Sequence, residues 1–364
     1  MKRMKALPWA AAWAIMACSA QAAPALFPAL GQPALKARAP QRAVLLSAAQ
    51  AGQRIVAVGE RGIVVLSDDG GHRWRQARSV PVAVTLTAMR FVDPKLGWTV
   101  GHGGVVLHTA DGGETWTRLI DGAALARIAL EAAQERLRQA PQDATAMRQL
   151  QAAQQLLEQG ADKPLLDLWF ADASHGFVVG AYGLLFETAD GGRNWKSAME
   201  RLDNPKGLHL YAIRGRGTSI VLAGEQGLLA RSDDGGRSFR NLPSPYTGSW
   251  FTLGLWPDGR LLAAGLRGNA FVSADQGQSW QRLDSPAPVS FVAALPLASG
   301  GVLLANQAGQ VLSASAGGAL TALNSAPVPG LADVLALDNG DFLVVGAAGV
   351  SRVAAASATA GAAK

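Results

Sequence analysis

Short apolar stretches alternate with glycine-rich polar turns along the chain after residue 40. Residues 86–91, 165–170 and 250–256 are examples, and their composition is typical of strands that are covered on both faces. Glycine is abundant, with 42 residues, and follows no collagen period. The pattern therefore predicts an all-β protein built from many short strands and tight turns.

A sequence repeat organises these stretches. The first copy, which begins at Gly59, reads Gly-x-x-Gly, a short apolar strand, Ser/Thr-x-Asp-Gly-Gly and then Trp74. Further copies begin at positions 101, 180, 224, 265, 306 and 346; the sixth is degraded and the seventh stops before its second turn. A period of about 40 residues is typical of a propeller blade. We predict a seven-bladed β-propeller of four-stranded antiparallel blades over residues 33–353, with residues 33–40 supplying the outermost strand of the last blade.

A helical insertion interrupts the repeat between the second and third copies. Residues 123–139 are rich in helix formers, Pro141 ends this segment, and Asp143 can cap a second helix. The second segment repeats Met147, Leu150 and Leu157 at helical spacing. Residues 123–160 are therefore predicted to form a helical hairpin between blades 2 and 3.

The N-terminal residues have the pattern of an export signal. Three basic residues precede an apolar stretch, and Ala20-Gln21-Ala22 fits a cleavage site. We expect residues 1–22 to be removed and the protein to lie in the periplasm. Because Ile15-Met16-Ala17 precedes Cys18, a lipoprotein anchored through Cys18 is the open alternative. At the other end, residues 354–364 are rich in alanine, serine and glycine, and are predicted to be disordered.

The aspartates of the repeated turns are predicted to be structural. A carboxylate in such a turn can accept hydrogen bonds from the N–H groups of its own loop, and the glycines that follow allow positive φ. The residues concerned are Asp69, Asp111, Asp190, Asp234 and Asp275.

The sequence offers no catalytic set, and we predict that the protein is not an enzyme. The single cysteine and the spacing of the five histidines give no metal site, and no glycine loop precedes a helix to hold a phosphate. We therefore expect no metal, no cofactor and no small-molecule substrate. The alternative is a sialidase-like glycoside hydrolase, which would need Arg61, Arg267 and a third arginine beside a Tyr–Glu pair.

A binding surface is predicted on one face of the propeller. In a four-stranded blade, the turn between the second and third strands lies on the same face as the link to the next blade. Charged and aromatic residues at such a rim are typical of protein recognition. The predicted partner-binding rim comprises Glu60, Arg61, His102, Asp167, Tyr182, His209, Glu225, Gln226, Trp250 and Arg267.

The Ser/Thr-x-Asp-Gly-Gly-x-x-Trp turns resemble the Asp-box (BNR) repeats of sialidases and related propellers. The longer unit, from Met89 to Gly113, is similar to the photosystem II stability/assembly factor family, and the likeness covers residues 43–353. That resemblance implies a non-enzymatic lumenal or periplasmic scaffold that docks on an integral membrane protein. The hairpin followed by Asp162-Lys163-Pro164 resembles a bacterial branch associated with RND-type exporters, which implies an exporter as a candidate partner.

The remaining expectations about partners follow from charge and fold. Removing the three basic residues of the export signal lowers the formal net charge from +6 by three. A mildly basic chain with no basic stripe is not expected to bind nucleic acid. We expect the protein to be a monomer.

Overall fold

The computed structural model describes residues 27–314, 318–323, 326–337 and 339–353. The predicted signal peptide, Cys18 and the predicted tail lie outside the described residues.

Seven antiparallel sheets form the blades of a closed propeller. The inner strands are β1 (Leu45–Ala51), β5 (Leu86–Phe91), β9 (Leu165–Phe170), β13 (Leu210–Arg216), β17 (Trp250–Leu255), β21 (Phe291–Pro296) and β25 (Leu331–Ala336). The second strands are β2 (Arg54–Gly59), β6 (Gly97–Gly101), β10 (Gly176–Gly180), β14 (Ser219–Gly224), β18 (Leu261–Gly265), β22 (Val302–Asn306) and β26 (Phe342–Gly346).

The outer half of each blade is shorter. The third strands are β3 (Val64–Ser67), β7 (Val106–Thr109), β11 (Leu185–Thr188), β15 (Leu229–Ser232), β19 (Ala270–Ser273), β23 (Val311–Ala314) and β27 (Gly349–Val353). The fourth strands are β4 (Arg75–Gln76), β8 (Thr117–Ile120), β12 (Lys196–Ser197), β16 (Arg240–Asn241), β20 (Gln281–Arg282) and β24 (Thr321–Ala322). Each inner strand contacts the inner strands of both neighbouring blades, and β25 contacts β1, so the ring closes. The predicted propeller is confirmed, and the degraded sixth copy also forms a four-stranded blade.

The N-terminal segment does not complete the last blade, so that part of the prediction is wrong. The last sheet has three strands among the described residues. Residues 33–40 lie instead across blade 1, where Ala34 N–H donates to Val80 O at 3.0 Å and Leu35 N–H donates to Arg61 O at 3.1 Å. These N–H groups are bonded to blade 1, so the segment lies across that blade and is not a strand of blade 7.

Ring closure depends on contacts between blades 7 and 1. Leu45 and Ala48 of β1 share one buried cluster with Leu343 and Val345 of β26. Beside this cluster, the Asp333 carboxylate accepts hydrogen bonds from the Ser47 hydroxyl and the Ala48 N–H, both at 3.1 Å. These hydrogen bonds therefore join the last blade to the first.

The Ser/Thr-x-Asp-Gly-Gly turns, called Asp turns below, join the third and fourth strands. In all five intact turns the Ser or Thr hydroxyl donates to the carboxylate at 2.7–3.0 Å. Asp190 also accepts from the Asn194 N–H at 2.9 Å and from Asn194 Nδ2 at 2.6 Å, and these bonds lower the pKa of Asp190 to about 2. The geometry supports a structural role for these aspartates.

The helical hairpin consists of α1 (Gly122–Gln139) and α2 (Ala144–Gln159), between β8 and β9. Asp143 caps α2 by accepting from the Thr145 N–H at 2.7 Å. The buried face of α2 consists of Ala146 and Ala153, because small residues let the two helices approach closely. Met147 and Leu157, which repeat at helical spacing with Leu150 along this helix, are 42% and 37% exposed.

Candidate functional site

The turns between the second and third strands define one face of the propeller, called the turn face below. The hairpin begins on this face, since a Cβ atom on Gly104 of the blade 2 turn would lie only 2.5 Å from the Gly122 Cα at the start of α1. Leu30 also lies on this face, where the Arg118 guanidinium of blade 2 donates to its carbonyl oxygen at 2.9 Å and its side chain packs against Gly103. The Asp turns lie at the opposite end of the third strands, and their side is called the Asp-turn face.

Four turns of the turn face hold a side chain in the left-handed conformation. The φ angles are 50° at Arg61, 57° at Tyr182, 51° at Gln226 and 56° at Arg267, whereas blade 2 has Gly103 at this position with φ 72°. All four side chains are exposed. A non-glycine residue with positive φ is strained, and such strain concentrates at functional sites. These four residues, called the strained rim below, were all predicted as rim residues.

The glycine that follows each strained residue packs against the neighbouring link. In blade 4, the Gly227 N–H donates to Gly248 O at 2.9 Å, and a Cβ atom on Gly227 would lie 2.5 Å from Tyr246 O. Only glycine fits such a close approach. Gln226, the residue that precedes this glycine, has φ 51° and an exposed side chain.

The two predicted glutamates, Glu60 and Glu225, make hydrogen bonds within the fold. Glu60 accepts from the Val44 N–H at 3.0 Å, and Glu225 accepts from the His209 N–H at 2.9 Å. Each carboxylate therefore fixes the residue that precedes an inner strand. His102, in the equivalent turn of blade 2, is exposed on the same face.

A row of aromatic rings crosses the turn face from blade 3 to blade 5. The His209 ring lies edge-on to Tyr182 at 4.9 Å and 6.1 Å from Tyr211, and Tyr211 lies edge-on to Phe251 at 5.2 Å. At the outer end, Lys163 Nζ lies 4.9 Å from the centre of the Tyr182 ring. This aromatic row (Tyr182, His209, Tyr211, Phe251) provides a continuous surface for stacking and apolar contact.

Tyr211 and Phe251 were not predicted from the sequence. Each follows the first residue of an inner strand, where the pairing register breaks between Leu210 and Ala212 and between Trp250 and Thr252. A bulge of this kind re-aims a side chain, and no composition signal in the strand indicates it. Burial, aided by the Glu225 carboxylate 3.3 Å from the hydroxyl, raises the pKa of Tyr211 to about 12.

Two residues predicted for the rim lie inside the fold. Trp250 is fully buried, and its indole N–H donates to Ser244 Oγ at 3.1 Å. Asp167 is 5% exposed and links blades 3 and 4 by accepting from the Ile213 N–H at 3.0 Å and pairing with Arg214. Neither side chain offers surface to a partner, because the inner strands turn both toward the interior.

Metal and membrane-spanning features can be assessed for the described residues. Within them, no three His, Cys, Asp or Glu side chains come together in a metal-binding arrangement. In the same part of the chain, neither helix has the length and apolar character needed to cross a bilayer.

Comparison with known proteins identifies sequence relatives. A family model described as "Photosynthesis system II assembly factor YCF48" matches residues 35–127 and 146–245, which is more than half of the chain. The "Photosystem II assembly lipoprotein Ycf48" of Synechococcus sp. (strain CC9902) is 33% identical over 119 residues, 32% of this chain and 35% of that protein. The "Photosystem II stability/assembly factor HCF136, chloroplastic" of Oryza sativa subsp. japonica is 24% identical over 62% of this chain and 40% of that protein. The matches thus span about two fifths or less of these relatives.

Solved structures show the same fold. A structure described as "YCF48 bound to D1 peptide" superposes with a TM-score of 0.63 at 17% sequence identity, and the match covers 89% of this chain and 99% of that chain. The family model leaves out residues 128–145, which contain the end of α1 and the start of α2.

Proposed function

We propose that this chain, which belongs to the family of photosystem II assembly factors, is a non-enzymatic scaffold that docks on an integral membrane protein through its turn face. The strained rim carries this proposal. Four blades keep an exposed arginine, tyrosine or glutamine where glycine would be relaxed, as Gly103 is in blade 2. Such strain is maintained where the side chain has a function.

The partner is proposed to be a segment of a membrane protein, by analogy with the family. One solved relative is described as bound to a D1 peptide. The aromatic row and the two arginines of the strained rim offer the groups that are enriched in protein interfaces. An RND-type exporter is the partner that the resemblance to the bacterial branch suggests, and the protein is proposed to bind it as a monomer.

The proposed location is the periplasm, after removal of residues 1–22. Anchoring through a lipid on Cys18 is the alternative, and the Synechococcus relative is named a lipoprotein. Labelling with palmitate, with Cys18→Ser as the control, distinguishes the two.

A sialidase-like activity is not favoured by the geometry. A Tyr–Glu pair is present at Tyr211 and Glu225, but the pKa of Tyr211 is raised to about 12, which disfavours a nucleophilic phenolate. Arg61 and Arg267 lie on blades 1 and 5, which are not neighbours in the ring.

The test is affinity capture from detergent-solubilised membranes of the host. The wild-type exported protein is compared with a variant in which all four strained-rim residues are glycine. Because Gly103 already occupies this position in blade 2, the variant should fold normally while losing the captured membrane protein. The proposal fails if the wild-type protein captures no membrane protein, or if the folded glycine variant captures it equally well.

A further inference from the structure

A groove lies between the helical hairpin and residues 198–209, the link that joins blades 3 and 4. Its volume is about 440 Å³, and its inner end is formed by Tyr182, the first ring of the aromatic row. The groove therefore continues the turn face outward onto the hairpin. Much of its hairpin wall falls in residues 128–145, which the family model leaves out, so this chain carries a surface that the matched family segments do not describe.

The walls of the groove carry small apolar side chains beside charged and amide side chains. Alanines of both helices, including Ala132 and Ala152, face Leu202 and Pro205 of the link. A volume of this size is typical of pockets that enclose small ligands. A volume of about 440 Å³ can take a few residues of extended chain with small apolar side chains.

The charges of the groove are asymmetric. Arg148 of α2 donates only to Thr145 Oγ1, at 3.1 Å, and forms no ion pair with any described residue. By contrast, Arg201 on the link is neutralised by Glu187 through bonds of 2.6 and 2.7 Å. On the link wall, Asp203 is exposed and forms no ion pair within the described part of the chain. An occupant would therefore place a carboxylate beside Arg148, on the hairpin side, and away from Asp203.

We propose that this groove binds an extended segment of the membrane-protein partner that contains small apolar residues and one acidic side chain, with the acid paired to Arg148. This inference rests on the proposed function and deepens it. The strained rim and the aromatic row bind the body of the partner, and the groove selects the partner by the chemistry of one short segment.

Site-specific photocrosslinking tests the proposal in the full exported chain. A benzophenone amino acid replaces Gln149, which lines the groove, or Gln155, which is exposed on α2 but does not line it. After illumination of intact cells, the crosslinked peptide is identified by mass spectrometry. We expect position 149, and not position 155, to crosslink to a membrane-protein segment that holds an Asp or Glu among small apolar residues.

Two variants test the chemistry separately. Arg148→Glu should lower the crosslinking yield about tenfold or more, and Ala152→Trp, which fills the groove without changing its charge, should do the same. A synthetic peptide of the crosslinked segment should bind the wild-type protein. The same peptide with Asn or Gln in place of its Asp or Glu should bind about tenfold more weakly. Thermal melting confirms that each variant is folded.

The outcomes separate the groove from the proposed function. Crosslinking to a second copy of this chain, to residues 1–26 or to lipid overturns the proposal, as does a segment without an acidic residue. If membrane capture succeeds but position 149 gives no crosslink, the groove proposal fails and the docking function stands. If the wild-type protein captures no membrane protein at all, the docking function itself fails.

Discussion

Gln226 and Gln276 form a matched pair for testing whether the strained rim is kept for binding. Both are exposed glutamines with positive φ, 51° and 62°, and neither side chain hydrogen-bonds to the described part of the chain. Gln226 lies on the turn face, whereas Gln276 replaces a glycine in the Asp turn of blade 5. The same substitution, glutamine to glycine, therefore relieves the same strain on opposite faces.

The expected change in stability follows from backbone energetics. The left-handed conformation costs a non-glycine residue roughly 1–2 kcal/mol, and the extra entropy of glycine in the unfolded chain takes back about 0.5–1 kcal/mol. Each variant should therefore gain about 0.5–1 kcal/mol in free energy of unfolding. With an m-value of about 3 kcal/mol/M, the midpoint of urea unfolding should rise by roughly 0.2–0.3 M.

Binding should separate the two variants. Gln226→Gly should lower capture of the membrane partner about fivefold, the equivalent of ~1 kcal/mol, and Gln276→Gly should leave it unchanged. The assay is urea unfolding followed by tryptophan fluorescence, together with quantitative capture from membranes. A loss of stability in both variants would refute the strain argument, and equal capture by both would refute the assignment of the turn face.

Three further predictions concern closure, acid stability and chemistry. Asp333→Ala leaves the buried Ser47 and Ala48 donors unpaired and should cost about 2–4 kcal/mol of unfolding free energy. Asp333→Asn keeps an acceptor and should cost much less. Equal urea midpoints for the two variants would contradict the proposed role of these hydrogen bonds in joining blade 7 to blade 1. Hydrogen bonds hold the pKa of Asp190 and of Asp275 at about 2, below the ordinary 3.8. The stability that these two carboxylates confer is therefore present above about pH 4 and should be lost as the pH falls toward 2. An unfolding free energy that stays constant between pH 4 and pH 2 would contradict this expectation. The wild-type protein and Tyr211→Phe should both turn over a fluorogenic sialoside only at the background rate. Measurable turnover by the wild-type protein that this substitution abolishes would favour the hydrolase alternative.

The fold was largely predictable because its signals are local. Each Asp turn requires a hydroxyl, a carboxylate and glycine within a few residues, so the repeat can be recognised directly. The number of copies of the repeat then gives the number of blades. The failure at residues 33–40 has a different cause. Whether a segment joins a sheet edge or lies across it depends on distant acceptors such as Val80 O and Arg61 O, which no local pattern reveals.

The candidate site was predictable only in part. The residues of the Gly-x-x-Gly turns lie on one face, as the repeat predicts, because the turn fixes the direction of the side chain. The inner-strand residues could not be placed from the sequence, because a bulge near the start of the strand decides which side chain reaches the surface. Trp250 was therefore expected at the rim and is buried, while Tyr211 and Phe251 were overlooked and form the aromatic row.

Hydrogen–deuterium exchange on the complex with the captured membrane protein tests docking through the turn face most directly. Binding should slow exchange in residues 59–62, 180–183, 224–227 and 265–268, and leave the Asp turns unchanged. Protection confined to the Asp turns, or no protection on either face, would contradict the assignment of the turn face as the docking surface.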